Sequence, residues 1–296
     1  MKPGLTLCMM VKNEAHQLSR CLNSVASLAP ELVIVDTGST DGTPQMAADF
    51  GARVLPFDFG FVDFSAARNA GLDCAETAWI LVLDADEVIQ PESLPLVSRV
   101  VQGDENAGYF LKRQNHASDS PTVTTDHVVR LFPNRRDYRY RGRVHETIDD
   151  SIVLCGGRLV ESEICIRHDF VSSREVRRKK NYWYVEILKE ELAANPLDDS
   201  RLDFLAAEYH QLEMYVEATA VAERIVELRP RDARAHLFAG TYHLLFKPDF
   251  RQARIDFNNA LKLRPGYQEA ESFLSSLDSK EAAGGSQSST LLPSAS

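Results

Sequence analysis

Short apolar runs that each end in a polar loop, separated by amphipathic stretches, constrain this chain more than any other feature. Leu5–Val11, Leu32–Val35, Arg53–Leu55 and Trp79–Leu83 read as strands, while Glu14–Ser27, Pro44–Phe50 and Ser65–Cys74 read as helices. The first helix carries Leu18, Cys21, Leu22 and Val25 on one face. Strands alternating with helices at this spacing predict an α/β fold, a mostly parallel sheet sandwiched by helices. In open sheets of that kind, ligands sit outside the carboxyl ends of the strands. Two polar motifs fall at such ends, DTGSTDGT (Asp36–Thr43) and DADE (Asp84–Glu87).

DADE is the sharper of the two. Carboxylates at i and i+2, just past a buried strand, can hold one hard cation between them, and oxygen ligands suit Mg²⁺ or Mn²⁺. Such an ion bridges diphosphate oxygens and offsets the charge of a leaving nucleoside diphosphate. A lone DxD is also an ordinary polar strand terminus. Asp36 stands where a carboxylate can accept hydrogen bonds from a nucleobase or ribose, and Gly38 and Gly42 permit close backbone approach. Asx- and Ser-turn chemistry alone also explains that loop.

Beyond Gly108 the helical period fades. Gly108–Arg113, His127–Pro133 and Ser162–Arg167 read as strands, and Ser172–Asn195 as a long helix with Ser172 or Ser173 as N-cap. Its basic run Arg177–Lys180 reads as a solvated face. The remainder repeats: AANP, VELRP and LKLRP place prolines at 196, 230 and 265, spaced 34 and 35 residues apart. Each block is a pair of amphipathic helices and resembles the tetratricopeptide (TPR) repeat, with Tyr209, Ala218, Ala222, Tyr242, Ala253 and Ala260 at its small and aromatic positions. The extra residue of the second block is expected within Lys247–Phe250. Two repeats rarely stand alone, so the preceding helix is expected to cap them. The tail from about Lys280 is small and polar and reads as disordered.

Composition narrows the function. At 44% hydrophobic and 26% charged residues the chain can build a sizeable core. Its net charge of −10 argues against nucleic acid as the main partner. Five cysteines without a CxxC pair read as reduced thiols in a cytoplasmic protein. No apolar run reaches the ~18–20 residues of a membrane span, and Lys12 and Glu14 come too early for a signal-peptide core.

Four motifs arrive in order: LCMMVKNE (Leu7–Glu14), VIVDTGSTDGT (Val33–Thr43), DFSAARNAGL (Asp63–Leu72) and WILVLDADE (Trp79–Glu87). Together they resemble glycosyltransferase family 2, of the GT-A fold, in its branch with C-terminal TPR repeats. The resemblance implies a catalytic domain over residues 1–171, a capping helix with repeats over 172–278 and a tail over 279–296. It implies an enzyme that inverts the anomeric centre of a nucleotide-sugar donor, a UDP-sugar, with Mn²⁺ or Mg²⁺. The acceptor is a hydroxyl of a protein, peptide or cell-surface glycan precursor, and the TPR groove is open to a protein partner or to oligomerisation. By the same resemblance Asp36 contacts the base, Val11 and Glu14 line its pocket, and Arg68 faces the nucleotide or its diphosphate. Asp84 meets the ribose or the metal, Asp86 the metal, and His168 is a third metal ligand or phosphate contact.

Direct displacement needs a base for the acceptor hydroxyl. The segment RYRGRVHETI offers His145 and Glu146 and resembles the GRVHE stretch of that branch. Glu146 is the expected base, with Asp126 and Asp119 as alternatives. Arg68 is equally able to form a structural salt bridge, and His168 to be a satisfied interior histidine. Two other classes compete. VLDADEV alone fits the nucleophile motif of haloacid-dehalogenase-type phosphatases, though that motif normally ends a domain's first strand. A non-catalytic TPR scaffold that retains a nucleotide-sugar-binding fold is the other.

Overall fold

The computed structural model describes residues 2–282 except 61, 104–105, 119–121, 171–172 and 247–248. Asp119, Ser172, the Lys247–Pro248 part of the second repeat and the tail from 283 lie outside the described residues. Two compact units divide between Arg177 and Arg178, a few residues after the expected boundary at 171/172.

The first unit is built on one eight-stranded sheet. Its strands are β1 (Lys2–Val11), β2 (Glu31–Asp36), β3 (Arg53–Pro56), β4 (Thr77–Val82), β5 (Glu87–Ile89), β6 (Ala107–Ala117), β7 (Val123–Pro133) and β8 (Arg158–Phe170), in the spatial order β3-β2-β1-β4-β7-β6-β8-β5. The first four are parallel. β7 runs antiparallel to β4 and β6, β8 runs parallel to β6, and β5 antiparallel to β8.

Helices α1 (Ala15–Val25), α2 (Thr43–Asp49) and α4 (Leu94–Val100) pack on one face, and α3 (Phe64–Cys74) and α5 (Asp149–Leu154) on the other. The central strands feed both cores. Leu7, Met9, Ile34 and Leu81 point into the first, Cys8, Val33, Ile80 and Val82 into the second. That two-sided burial is why these strands read as continuous apolar runs. The register pairs Val11 with Asp36 and Cys8 with Val82, so the loops after β1, β2 and β4 leave the sheet along one edge.

Two features differ from the expectation. β6, β7 and β8 run several residues beyond the predicted strands. Their extensions (Gln114–Ala117 and Val123–Asp126 among them) are polar and half-buried or exposed, and are held by the ladder rather than by an apolar face. The acidic turn does not open into a loop either. β5 begins at Glu87 and pairs with β8, so Asp84–Asp86 is anchored by a strand on each side.

The second unit is helical: most of α6 (Arg174–Ala194), then α7 (Asp199–Gln211), α8 (Tyr215–Leu228), α9 (Ala233–Leu245), α10 (Phe250–Leu263) and α11 (Gln268–Ala282). Asp198, Asp232 and Asp249 cap α7, α9 and α10 through their carboxylates. The repeat positions behave as the period predicts, with Tyr209, Ala218, Ala222, Tyr242, Ala253 and Ala260 all buried. Leu192 of α6 packs against the cluster of Leu202, Ala206 and Ile225. A Cβ at Gly240 would stand 2.8 Å from the Phe257 ring, so α9 and α10 approach closely only because this residue is glycine. The buried His243 ring on α9 lies 2.9 Å from Asp256 of α10 and 2.9 Å from Glu223 of α8.

Candidate active site

The loops after β1 and β2 are sewn together by backbone N–H groups and short side chains. Asp36 Oδ2 accepts from the Gly38 and Ser39 N–H groups at 3.3 and 3.1 Å. Gly38 has φ +94°, a conformation that L side chains rarely adopt, and this glycine lets the chain turn back over the carboxylate. The Val11 carbonyl accepts from Thr37 N–H and Oγ1, while the Val11 side chain belongs to the core. Asn13, itself left-handed at φ 59°, donates its N–H to Ser39 Oγ and accepts the Thr40 N–H at Oδ1. The Glu14 N–H donates to Thr43 Oγ1 at 2.8 Å. Burial and then the nearby Asp86 charge push the Glu14 carboxyl above its ordinary range.

The acidic turn is held differently, by guanidinium groups. Arg68 Nη2 donates to Asp84 Oδ1 at 2.9 Å and its Nε to Glu146 Oε1 at 2.7 Å. Arg130 Nη2 reaches both Asp84 Oδ2, at 2.7 Å, and Glu87 Oε1, at 3.0 Å. Glu87 is fully buried, and its Oε2 accepts the Asp84 N–H at 3.0 Å, which locks the turn. Burial alone would raise the Asp84 carboxyl, but Arg130 and Arg68 outweigh it and hold the group well below the usual carboxylate range. Burial pushes Glu87 up, against the opposing pull of Arg130. Arg68 Nη1 and Arg130 Nε are buried with no hydrogen-bond partner among the described residues. Tyr140 packs beneath the Arg68 guanidinium, and burial pushes its phenol up to about 12.

Two sequence motifs far apart in the chain meet here. The Asn69 amide clamps the Tyr140 backbone from both sides, at 2.9 and 3.0 Å, and the Phe64 N–H donates to the Arg143 carbonyl. A backbone bridge pairs Arg141 with Thr147, and His145 between them is left-handed at φ 49°. SAARN thus carries RYRGRVHE, and Arg68 fixes one oxygen of Glu146. Glu146 Oε2 accepts no hydrogen bond among the described residues. Asp126 has both oxygens bonded by Arg113, at 2.6 and 2.9 Å. Burial opposes this, but Arg113 prevails and keeps the group below its usual range, which disfavours it as a proton acceptor.

Asp86 and His168 face each other, Oδ2 to Nε2, at 3.2 Å. His168 Nδ1 lies 2.7 Å from Asn115 Oδ1, and the ring stacks on Phe170. Burial opposes the imidazolium, but the Asp86 hydrogen bond and charge raise the ring above its ordinary value. A carboxylate oxygen and an imidazole nitrogen are ligands that suit Mn²⁺. No group of three His, Cys, Asp or Glu side chains is disposed around one metal position among the described residues. The Asp86–His168 pair offers two protein ligands at most, so a divalent ion held there would need substrate oxygens and water for its remaining positions, which Mg²⁺ and Mn²⁺ accept. Asp84, with an arginine on each oxygen, fits neither direct ligation nor a nucleophile's role.

The structure thus brings Arg68, Asp84 and Glu146 into one cluster and Asp86 and His168 into a pair that Glu14 senses. Asp36 and Val11 join through the neighbouring turn. Sequence reasoning missed Arg130, Glu87 as a partner, Arg113 and Asn115. For Arg130 a signal existed: an arginine inside the apolar run VVRLF must find a buried acid.

Residues 6–168 match the sequence model of the family described as Glycosyl transferase family 2. A TPR repeat-containing protein of Synechococcus elongatus is 42% identical over 150 residues, 50% of this chain and 36% of the relative. The glycosyltransferase SunS from the SPbeta prophage of Bacillus subtilis is 26% identical over 222 residues, 73% of this chain and 51% of SunS. The chain therefore spans about a third to a half of these relatives' lengths. Among solved structures, TarS 1–349 of S. aureus in complex with UDP-GlcNAc superposes with a TM-score of 0.53 at 15% identity, covering 93% of this chain and 92% of that one. That likeness is one of fold. No helix among the described residues is long and apolar enough to cross a membrane.

Proposed function

The chain belongs to glycosyl transferase family 2, and from that premise we propose that it moves a sugar from a UDP-sugar to an acceptor hydroxyl with inversion at the anomeric carbon. The observation that carries this reading is the acidic turn. Asp84 and Asp86 are fixed side by side past β4, one clamped by arginines and the other facing a histidine. UDP is the nucleotide to test first because the TarS structure of the same fold holds UDP-GlcNAc.

Asp86 and His168 are the residues that would hold a divalent ion, and such an ion would supply positive charge to offset the negative charge of the departing diphosphate. The protein's own groups do the rest. Asp36 shapes the turn that receives the base, the Val11 carbonyl anchors that turn through Thr37 while its side chain stays in the core, and Glu14 closes the pocket. Arg68 and Arg130 keep Asp84 ionised and aimed. Glu146, with Oε1 fixed by Arg68, presents Oε2 to the acceptor hydroxyl and takes its proton as the oxygen attacks. The acceptor is a hydroxyl-bearing protein, peptide or glycan precursor.

A nucleotide-sugar panel read by thermal shift, with and without Mn²⁺, tests the reading. A UDP-sugar should raise the melting temperature, and Mn²⁺ should enlarge the shift. Asp86→Asn should abolish transfer and remove the Mn²⁺-dependent part, leaving the melting temperature of the ligand-free protein nearly unchanged. Full turnover in Asp86→Asn would sink the metal assignment, and no shift with any nucleotide-sugar would sink the transferase reading.

A further inference from the structure

Asp126, Asn115 and His168 lie on three adjacent strands whose register brings them into line. Asn115 of β6 pairs with His168 of β8, and Arg113, on the same face of β6, pairs with Asp126 of β7. β5 completes the row on the other side, where Glu87 pairs with His168. Side-chain bonds follow that row without a break. Arg113 Nε and Nη2 donate to Asp126, Asn115 Nδ2 donates to Asp126 Oδ1 at 3.3 Å, and Asn115 Oδ1 lies 2.7 Å from His168 Nδ1.

The donors and acceptors in that row fix where a proton sits. An ionised carboxylate only accepts, so Asp126 requires Asn115 to present its NH₂ and thereby turns the amide oxygen towards His168. An amide oxygen only accepts as well, so the hydrogen between it and the ring belongs to His168 Nδ1. In the neutral ring Nε2 then offers its lone pair, and it does so 3.2 Å from the Asp86 carboxylate. Two lone-pair donors at that separation repel, and either a proton taken up on Nε2 or a bound cation relieves them. Phe170, stacked on the imidazole at 4.9 Å between centroids, restrains the plane of the ring.

We propose that Asn115, itself set by Asp126, is the positioning residue for His168: it holds the ring as the Nδ1–H tautomer with Nε2 directed at Asp86, and so prepares the pair to take a divalent cation. The last clause rests on the function proposed above; the tautomer does not. Outer partners of this kind commonly contribute a factor of ~10–100 to metal affinity.

Two readouts separate the two. Two-bond ¹H–¹⁵N correlations of His168, recorded on the metal-free protein at alkaline pH, should show the proton on Nδ1 in the wild type. They should show the same in Asn115→Asp, which keeps an acceptor for Nδ1–H, and a shift towards the Nε2–H form in Asn115→Leu. A wild type with its proton on Nε2, or an unchanged tautomer in Asn115→Leu, overturns the proposal. Titration with Mn²⁺ alone, followed by the electron paramagnetic resonance of the free ion, should show binding weakened ~10–100-fold in Asn115→Leu and lost in Asp86→Asn. Tight binding by Asn115→Leu beside loss in Asp86→Asn also overturns it. Undiminished binding in Asp86→Asn removes the metal reading, and the tautomer alone then decides the role of Asn115.

Discussion

The two halves of the sheet hold their share of the site by opposite means. On the parallel side, the turns after β1 and β2 are satisfied by neutral groups within and between the two turns: Asp36 by the next residues' N–H groups, Asp41 by Thr43, Asn13 by Ser39 and Thr40 across the turns. On the side of β5 to β8, ionised groups from distant parts of the chain hold one another, as Arg68, Asp84, Arg130 and Glu87 do. Satisfaction by neutral neighbours makes a turn that keeps its shape whatever surrounds it. Buried ion pairs make a site that depends on every member, because removing one partner strands a charge out of water. The first arrangement suits a pocket that recognises a planar base, the second a place where charge changes during reaction.

The largest effect expected is chemical. Glu146→Gln keeps size and hydrogen bonding but cannot take a proton, so kcat should fall ~10²–10⁴-fold with donor affinity nearly unchanged. Activity retained there, alongside a dead Asp126→Asn, would move the base to the antiparallel half and break the division of labour. Arg130→Met comes next. It leaves the fully buried Glu87 with the Asp84 N–H and, as its remaining cation, only Arg113 at the longer 3.4 Å, and urea unfolding should show a loss of about 3–5 kcal/mol. Adding Glu87→Leu should recover part of that loss. An Arg130→Met variant as stable as the wild type would show that the two halves are not held differently.

Asp36→Ala tests the other side. It removes a carboxylate that accepts two backbone N–H bonds, a loss comparable to that of a helix cap, and should cost about 1 kcal/mol in the same unfolding measurement. A cost as large as that of Arg130→Met would erase the contrast. The smallest effect sharpens it: Lys112→Ala breaks the exposed pair with Glu163 on the antiparallel half and should change stability by no more than ~0.5 kcal/mol. A large change there would mean that charge pairing, rather than burial, sets the cost.

The same contrast explains what was legible in the sequence. The parallel half announces itself, since two-sided burial writes apolar runs such as LCMMV and WILVL, and DTGSTDGT carries its own turn chemistry. The TPR period was legible for a similar reason: each alanine position meets a neighbour a fixed distance along the chain. The outer reaches of β6, β7 and β8 were not, because Gln114–Ala117 and Val123–Asp126 have no buried face to write a period. Among site residues, Arg68 and Asp84 could be named but not paired. Arg68 and Glu146 are 78 positions apart, Arg130 and Glu87 43, and nothing local ties them. Asn115 was invisible, since an asparagine in a polar stretch acquires meaning only when the ladder sets it beside His168.

His243 has a consequence of its own for the helical unit. Its ring touches Glu223 from the first repeat and Asp256 from the second, so one side chain belongs to two structural units at once. Repeat arrays melt unit by unit when their interfaces are weak and together when they are strong. A polar rivet buried at the junction, near Gly240 where α10 side chains leave no room for a Cβ, ties the opening of α10 to that of α8. The pair of repeats is therefore built to unfold in a single step, and a partner that grips either repeat stiffens both.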